Sequence, residues 1–394
     1  MLQDNDAVIV SAVRTPLGGF GGSLSGTGAT DLGAMVIEES LMRAGIEKEM
    51  VQEVLMGIVL PCGYGQNPAR QAAIKAGLPM SAGCLTINKV CGSGLMAAML
   101  ASEFVKSGYA DIVVAGGMEN MSMAPYYLPK ARWGVRMGQA EISDHMVHDG
   151  LWDIVNDFHM GISNDLISEK YGVSREEQDK YALSSYEKAL DSIKNGIFKD
   201  EIMPVRIQSK KGDTVFDTDE CPRPTSMELL AKMRPAFQKE GFATAGNSSV
   251  ISDGASAVVV MNYRKAKELG ISPLLRVVAY GSGGIELKYV LMAPIKSIPK
   301  VCRKAGIDLG RIDLHEINEA FSGSTVAVSR ELGLDPGKVN VFGGSVALGH
   351  PIGASGARVL TTLAYGMKRQ NAALGEASLC LGGAESVTMI VENI

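Results

Sequence analysis

Asn88-Lys89-Val90-Cys91-Gly92-Ser93-Gly94 is the stretch on which the reading of this chain turns. Just before it, Cys84-Leu85-Thr86-Ile87-Asn88 is a short apolar and β-branched run that reads as a strand. Just after it, Leu95, Met99, Ser102 and Val105 recur at helical spacing until Gly108, a residue suited to cap the helix. Cys91 therefore sits where a strand turns into a helix. The unpaired N–H groups there carry partial positive charge, which favours thiolate over thiol. Gly92 and Gly94 lack a Cβ and leave room for a substrate to approach the sulfur. A cysteine packed as a small buried hydrophobe is the competing reading.

Further out, the same alternation continues. Ala7–Ala12 and Val51–Val59 are apolar runs, Thr30-Asp31 can start a helix that stops near Gly45, and Pro68–Gly77 is a short helix. Ile112-Val113-Val114-Ala115 closes on Gly116-Gly117. Strands alternating with helices at this spacing predict a layered α/β fold with a largely parallel sheet. From about 118 to 250 the rhythm changes to Met-, Asp-, Lys- and Pro-rich sequence with one well-marked helix, opened by the capping box Ser174-x-x-Glu177. That segment reads as an insertion, after which 255–261 return to strand and 263–270 to helix.

Composition narrows the function. The 394 residues suffice for two domains or one duplicated core with an insertion. A net charge of −5 leaves no broad cationic face for nucleic acid. Six scattered cysteines without a Cys-x-x-Cys pair read as free thiols in a reducing compartment. The acidic start Met1–Asp6 is not a signal peptide, and no apolar stretch approaches the ~20 residues that span a bilayer. A cytoplasmic location is expected, with no membrane partner.

The last third repeats the first. Gly45-Ile46 followed by Val51–Met56 resembles Gly306-Ile307 followed by Ile312–Ile317, and Gly116-Gly117 resembles Gly382-Gly383. On that alignment Cys380 matches Val114. Two similar halves result: 1–117 with 251–272, then 273–394, with 118–250 inserted. A pseudo-two-fold would bring corresponding helix N-termini together at the centre. The second half offers three polar candidates there: Asn318-Glu319-Ala320-Phe321 at a strand end, His350 in the loop Gly349–Ala357, and Cys380 before Gly382-Gly383. A helix cap, a structural histidine and a core strand cysteine are their bland readings. His145-x-x-His148 lacks a third ligand, His315 sits mid-strand, and no metal site is expected. No phosphate-binding glycine loop follows the first strand. Gly353-Ala354-Ser355-Gly356 fails as a serine nucleophile elbow, since Ala357 stands where the motif needs glycine.

Asn88–Gly94, Asn318–Phe321, Gly349–Ala357 and Cys380-Leu381-Gly382-Gly383 resemble, in order and spacing, the four signature blocks of the thiolases, the acetyl-CoA acetyltransferases and 3-ketoacyl-CoA thiolases. Val10–Pro16, Arg234–Phe237 and Thr244–Ser249 match as well, so the resemblance runs from about residue 7 to the C-terminus. It implies two duplicated halves layered α-β-α-β-α with a large inserted loop domain. It also implies an acyl-cysteine enzyme joining or cleaving 3-oxoacyl-CoA and acetyl-CoA, with acetoacetyl-CoA the first expectation. Cys91 would be the nucleophile, His350 its proton acceptor and Cys380 the acid/base for the α-carbon and for the leaving thiol. Asn318, through a water, and His350 would bind the enolate oxygen. The N–H groups of Cys91 and Gly382 would form a second oxyanion hole. Coenzyme A and acyl-CoA enter as substrates, with no permanent cofactor, against His159, Met160, Arg223, Phe237, Ala245, Ser249 and Phe321. A homodimer or homotetramer is implied.

The chain departs from the family pattern in three places. Ala384 replaces a third glycine, Lys288–Pro294 replaces a Met-Gly-x-Gly-Pro pattern beside the acyl pocket, and the loop near 224–229 is one residue short. Three rival readings are a thiolase of longer or branched chains, a β-ketoacyl synthase and a thiolase-like acyl-CoA carrier without turnover. The synthase has two histidines where this chain has Asn318 and His350, and it needs no Cys380.

Overall fold

The computed structural model describes residues 2–208 and 212–394. Nine strands build one twisted sheet: β1 (Ala7–Arg14), β2 (Glu53–Gly57), β3 (Gly83–Ile87), β4 (Ile112–Asn120), β5 (Ser252–Asn262), β6 (Leu275–Gly284), β7 (Leu314–Ile317), β8 (Leu374–Leu381) and β9 (Glu385–Asn393). Their order is β7-β8-β9-β6-β1-β5-β4-β2-β3, with the short Gly18–Gly19 strand paired to β5. Between the halves, among the described residues, the sheet register joins only Val8 with Arg276 and Ile9 with Leu275. Each half therefore behaves as its own sheet, β1-β5-β4-β2-β3 and β6-β9-β8-β7, with matching strand order.

Helices sort into three layers around these sheets. The long ones are α1 (Ala29–Ala44), α2 (Pro68–Lys75), α3 (Ser93–Ser107), α4 (Met160–Tyr171), α5 (Arg175–Lys194), α6 (Pro294–Ala305), α7 (Ser322–Leu332) and α8 (Ser355–Gln370). Packed together, α3 and α8 lie between the two half-sheets. Leu95 and Met99 of α3, Leu360 and Leu363 of α8, Val258 and Val260 of β5, and Leu379 of β8 share that central core. Against the far face of the first half, α1 buries Leu32, Val36 and Ile37, and α2 buries Ala69 and Ala72, in one cluster with Val259 and Met261. On the second half α6 and α7 play the same part with Ile298, Val301 and Val328. Because β5 is buried on both faces, its Ala-Val-Val-Val-Met run has no polar side. The layers run α-β-α-β-α.

Two expectations need correction. The sheet is mixed: β2–β3, β2–β4 and β7–β8 are parallel, while β1–β5, β4–β5, β8–β9, β6–β9 and β1–β6 are antiparallel. Each half opens with helix crossovers, which force parallel pairing, but closes on a strand that runs back. In the second half that closure is the tight turn between β8 and β9. In the first, residues 121–251 stand in its place. The repeat register also shifts. Glu53 pairs with Val113, and Leu314, its counterpart, pairs with Gly375, so β4 and β8 correspond at an offset of 262. Cys380 therefore matches Met118, not Val114. Both side chains point to their half's outer layer.

Within the insertion the capping box at Ser174 is formed in both directions and opens α5. Glu319, beside Asn318, ties α5 to the second half by accepting from Tyr181 (2.9 Å), Ser185 (2.8 Å), Asn340 (2.9 Å) and the Val346 N–H (3.1 Å). Among the described residues no helix is long and apolar enough to cross a membrane.

Candidate active site

Cys91 lies one residue before Gly92, the N-cap of α3, at the mouth of the helix as its sequence predicts. The turn is strained: Val90, a β-branched residue, has φ of 46°. It is held by three hydrogen bonds, Val90 N–H to Asn88 Oδ1 (3.0 Å), Lys89 N–H to Ser93 Oγ (2.8 Å) and Ser93 Oγ to the Val90 carbonyl (2.6 Å). Lys89 also pairs with Glu385, which binds this turn to the one carrying Gly382. The glycines beside Cys91 serve packing. A Cβ on Gly92 would lie 2.6 Å from Leu381 Cδ2, and one on Gly94 would lie 2.7 Å from the Ala357 nitrogen. On the other helix a Cβ on Gly356 would lie 2.2 Å from the Leu95 nitrogen. Reciprocal glycines thus let the N-termini of α3 and α8 touch, where the sequence reading gave that space to substrate.

A cavity of about 410 Å³ opens at this junction. Cys91, His350, Cys380 and Gly382 line it, and so do His159, Met160, Arg223, Phe237, Ala245, Ser249 and Phe321. Asn318 alone of the expected residues does not line it. It is buried behind His350, with Nδ2 3.5 Å from the ring Nε2. The insertion's share of the wall is aromatic: His159 stacks on Phe237 (centroids 4.4 Å apart, 19° between planes), whose edge meets Phe321. Only because residue 161 is glycine can Phe237 lie there, since a Cβ would fall 2.1 Å from its ring.

Leu291, from the segment 288–294 expected beside the acyl pocket, lines the cavity, as does Ile352 of the His350 loop. The sequence missed other members of the site, Met121 of the wall among them. Ser355, rejected as a nucleophile, is fully buried with its Oγ 2.6 Å from His350 Nδ1. Glu119, at the end of β4, accepts from the N–H groups of Gly353 (2.8 Å), Val59 (2.9 Å) and Leu60 (3.2 Å), bracing the His350 loop. These partners come from distant segments, so no local spacing announces them. His145 and His148 both pair with Asp149, and His315 with Glu376, away from the cavity.

Burial holds the two thiols and the imidazole of the site toward their uncharged forms. Burial pushes the Cys91 thiol up to about 12, against the pull of the Cys91 and Gly382 N–H groups. The helix mouth, worth about 0.3–1 kcal/mol to the thiolate, works here against desolvation of the anion. Cys380 is pushed up by burial and then by the nearby Cys91 charge. His350 is held down to about 3 by burial and, next, by Arg358. Ser355 Oγ donates to the Pro351 carbonyl (2.9 Å), so His350 Nδ1 carries the hydrogen of the 2.6 Å contact and Nε2 keeps its lone pair. Two thiols, a neutral imidazole with a free lone pair and the Gly382 N–H thus line one apolar chamber, the equipment for moving an acyl group onto sulfur.

Known proteins match this chain along nearly its whole length. The family model described as "Thiolase, N-terminal domain" matches residues 7–264, and "Thiolase, C-terminal domain" matches 271–393. The acetyl-CoA acetyltransferase of Pseudomonas aeruginosa is 51% identical over 386 residues, 98% of each chain. The solved acetyl-CoA acetyltransferase of Syntrophomonas wolfei superposes with a TM-score of 0.97 at 38% identity, covering all of both chains. That of Bacillus anthracis does so with 0.97 at 41% identity, covering 99% of each. With both halves, the insertion between them and the layered sheet held in common, the chain belongs to the thiolase family.

Proposed function

We propose that the protein is an acetyl-CoA acetyltransferase that joins two acetyl-CoA molecules into acetoacetyl-CoA, or splits that product with coenzyme A. The observation carrying this reading is that Cys91 and Cys380, one from each half, line the same cavity with His350. His350 Nε2 takes the Cys91 proton as the sulfur attacks the acetyl carbonyl. The N–H groups of Cys91 and Gly382 hold the resulting oxyanion. Coenzyme A leaves with the proton of Cys380, so that acetyl-Cys91, a Cys380 thiolate and a protonated His350 remain.

Once acetylated, Cys91 has no charged form that could oppose the Cys380 thiolate. As thiolate, Cys380 takes a proton from the methyl carbon of the second acetyl-CoA, whose oxygen is stabilised by the Nε2–H of the protonated His350 and, through a water, by Asn318. The carbanion attacks acetyl-Cys91, the C–S bond breaks, and Cys91 takes its proton back from His350, while Cys380 keeps the one from carbon. The second cysteine and the Asn318–His350 pair favour this over the two-histidine chemistry of a synthase.

His159, Met160, Phe237, Ala245, Ser249 and Phe321 would line the path of the coenzyme A arm, and Arg223 supplies positive charge there for a phosphate. Leu291, set in the same cavity as Cys380, supports a short acyl group. No resident cofactor is invoked, and free thiols suit a reducing cytoplasm. A homodimer or homotetramer is supported by the open edge of β3, where Leu85 is exposed, and by exposed Trp133 and Met137. Sedimentation velocity giving a monomer at micromolar concentration would remove that assembly.

Incubation with acetyl-CoA should place one acetyl group on the Cys91 peptide and release acetoacetyl-CoA. Binding without either event would identify a carrier. Thiolysis faster with a longer or branched 3-oxoacyl-CoA than with acetoacetyl-CoA would replace the short-chain assignment.

A further inference from the structure

Behind Asn318 and His350 runs a hydrogen-bonded chain whose direction is fixed at both ends. Arg358 Nη2 lies 3.1 Å from Ser345 Oγ, Ser345 Oγ lies 2.6 Å from Asn318 Oδ1, and Asn318 Nδ2 lies 3.5 Å from His350 Nε2. His350 Nδ1 then meets Ser355 Oγ, which meets the Pro351 carbonyl. Arginine only donates and a carbonyl only accepts, while each serine has a single hydrogen. One polarity satisfies every link, with each group donating toward Pro351. Arg358, Ser345, Asn318, His350 and Ser355 are all buried, the most exposed being His350 at 6%, so water does not loosen the sequence.

We propose that Ser345, backed by Arg358, is a positioning residue that fixes the Asn318 amide with its NH2 toward His350. This rests on the acetyltransferase reading above. Were the amide free to rotate, its carbonyl oxygen would face the Nε2 lone pair, two acceptors in contact. His350 would then be driven to the other tautomer, and the enolate oxygen would meet a repelling dipole instead of a donor. Arg358 suits the role of source: it sits 3.9 Å from Glu316, and its Nε and Nη1 have no other hydrogen-bond partner. The guanidinium thus has little to hold it apart from that carboxylate and Ser345.

The test is a double-mutant cycle on condensation with Ser345→Ala and Asn318→Ala. Ser345→Ala should lower kcat about tenfold, equal to one lost hydrogen bond of about 1.4 kcal/mol, and leave KM for acetyl-CoA unchanged. In the Asn318→Ala background the same substitution should have no further effect. Ser345→Cys, a weaker donor of similar size, should fall between wild type and Ser345→Ala, and it carries the test if the alanine variant does not fold. Equal losses in both backgrounds, or a wild-type kcat in Ser345→Ala or Ser345→Cys, would overturn the positioning role. A wild-type protein that neither acetylates Cys91 nor condenses would instead remove the functional reading beneath it.

Discussion

His350 illustrates how far a residue's chemistry depends on its neighbours. A free histidine titrates near 6.5, but here burial and the Arg358 charge hold the ring neutral down to about 3. That neutrality has a thermodynamic consequence with a definite sign. Above pH 6.5 neither the folded nor the unfolded chain holds this proton. Between 6.5 and about 3 the unfolded chain binds it and the folded chain does not, so stability falls as pH falls, by up to about 1.4 kcal/mol per unit. Replacing the ring by an amide in His350→Asn removes the effect. Relative to wild type, the variant should gain about 2 kcal/mol between pH 7 and pH 5 in urea unfolding. A stability difference that does not vary with pH would show the ring titrating normally. At this scale the sequence marked Cys91, His350 and Cys380 through their glycine- and proline-rich settings. Ser345, Ser355 and Arg358 stayed hidden, because a buried hydroxyl or guanidinium shows its role only through partners.

Among elements, the crossing of α3 and α8 sets the distance between the two halves. Gly94 and Gly356 are the reciprocal contacts, and a Cβ on Gly356 would lie 2.2 Å from backbone that has no rotamer to escape into. Gly356→Ala should therefore destabilise by about 1–3 kcal/mol through overpacking, seen as a lower urea midpoint at unchanged m. A midpoint at or above that of wild type would mean that the helices separate freely. Elements proved legible where their signals are local. Gly45 and Gly306 cap matching helices in left-handed geometry (φ 66° and 67°), as their repeat suggests. Register was not legible. The Gly-Gly pairs at 116 and 382 look alike but stand at different heights on their strands, since the first half continues into the insertion where the second turns back. Ala384, standing where the family has glycine, takes φ of 60° in that turn.

For the whole molecule, duplication explains how one cavity is lined by two cysteines, one from each half. The Cys91 turn precedes a central helix of the first half. The Cys380 strand of the second half ends beside it, and Lys89 with Glu385 joins the two turns. The α/β class was readable from strands alternating with helices and the doubling from the repeat, while the antiparallel closing strands were not, because a buried strand of either sense has the same apolar pattern. The central claim is that the first sulfur carries the acyl group and the second moves the carbon-bound proton. Cys380→Ser incubated with acetyl-CoA tests it most directly, by mass of the Cys91 peptide and by acetoacetyl-CoA release. The account predicts one acetyl group retained on Cys91 with condensation lowered at least about a hundredfold, as for loss of a general base; condensation at the wild-type rate, or an acetyl group on another residue, would contradict it.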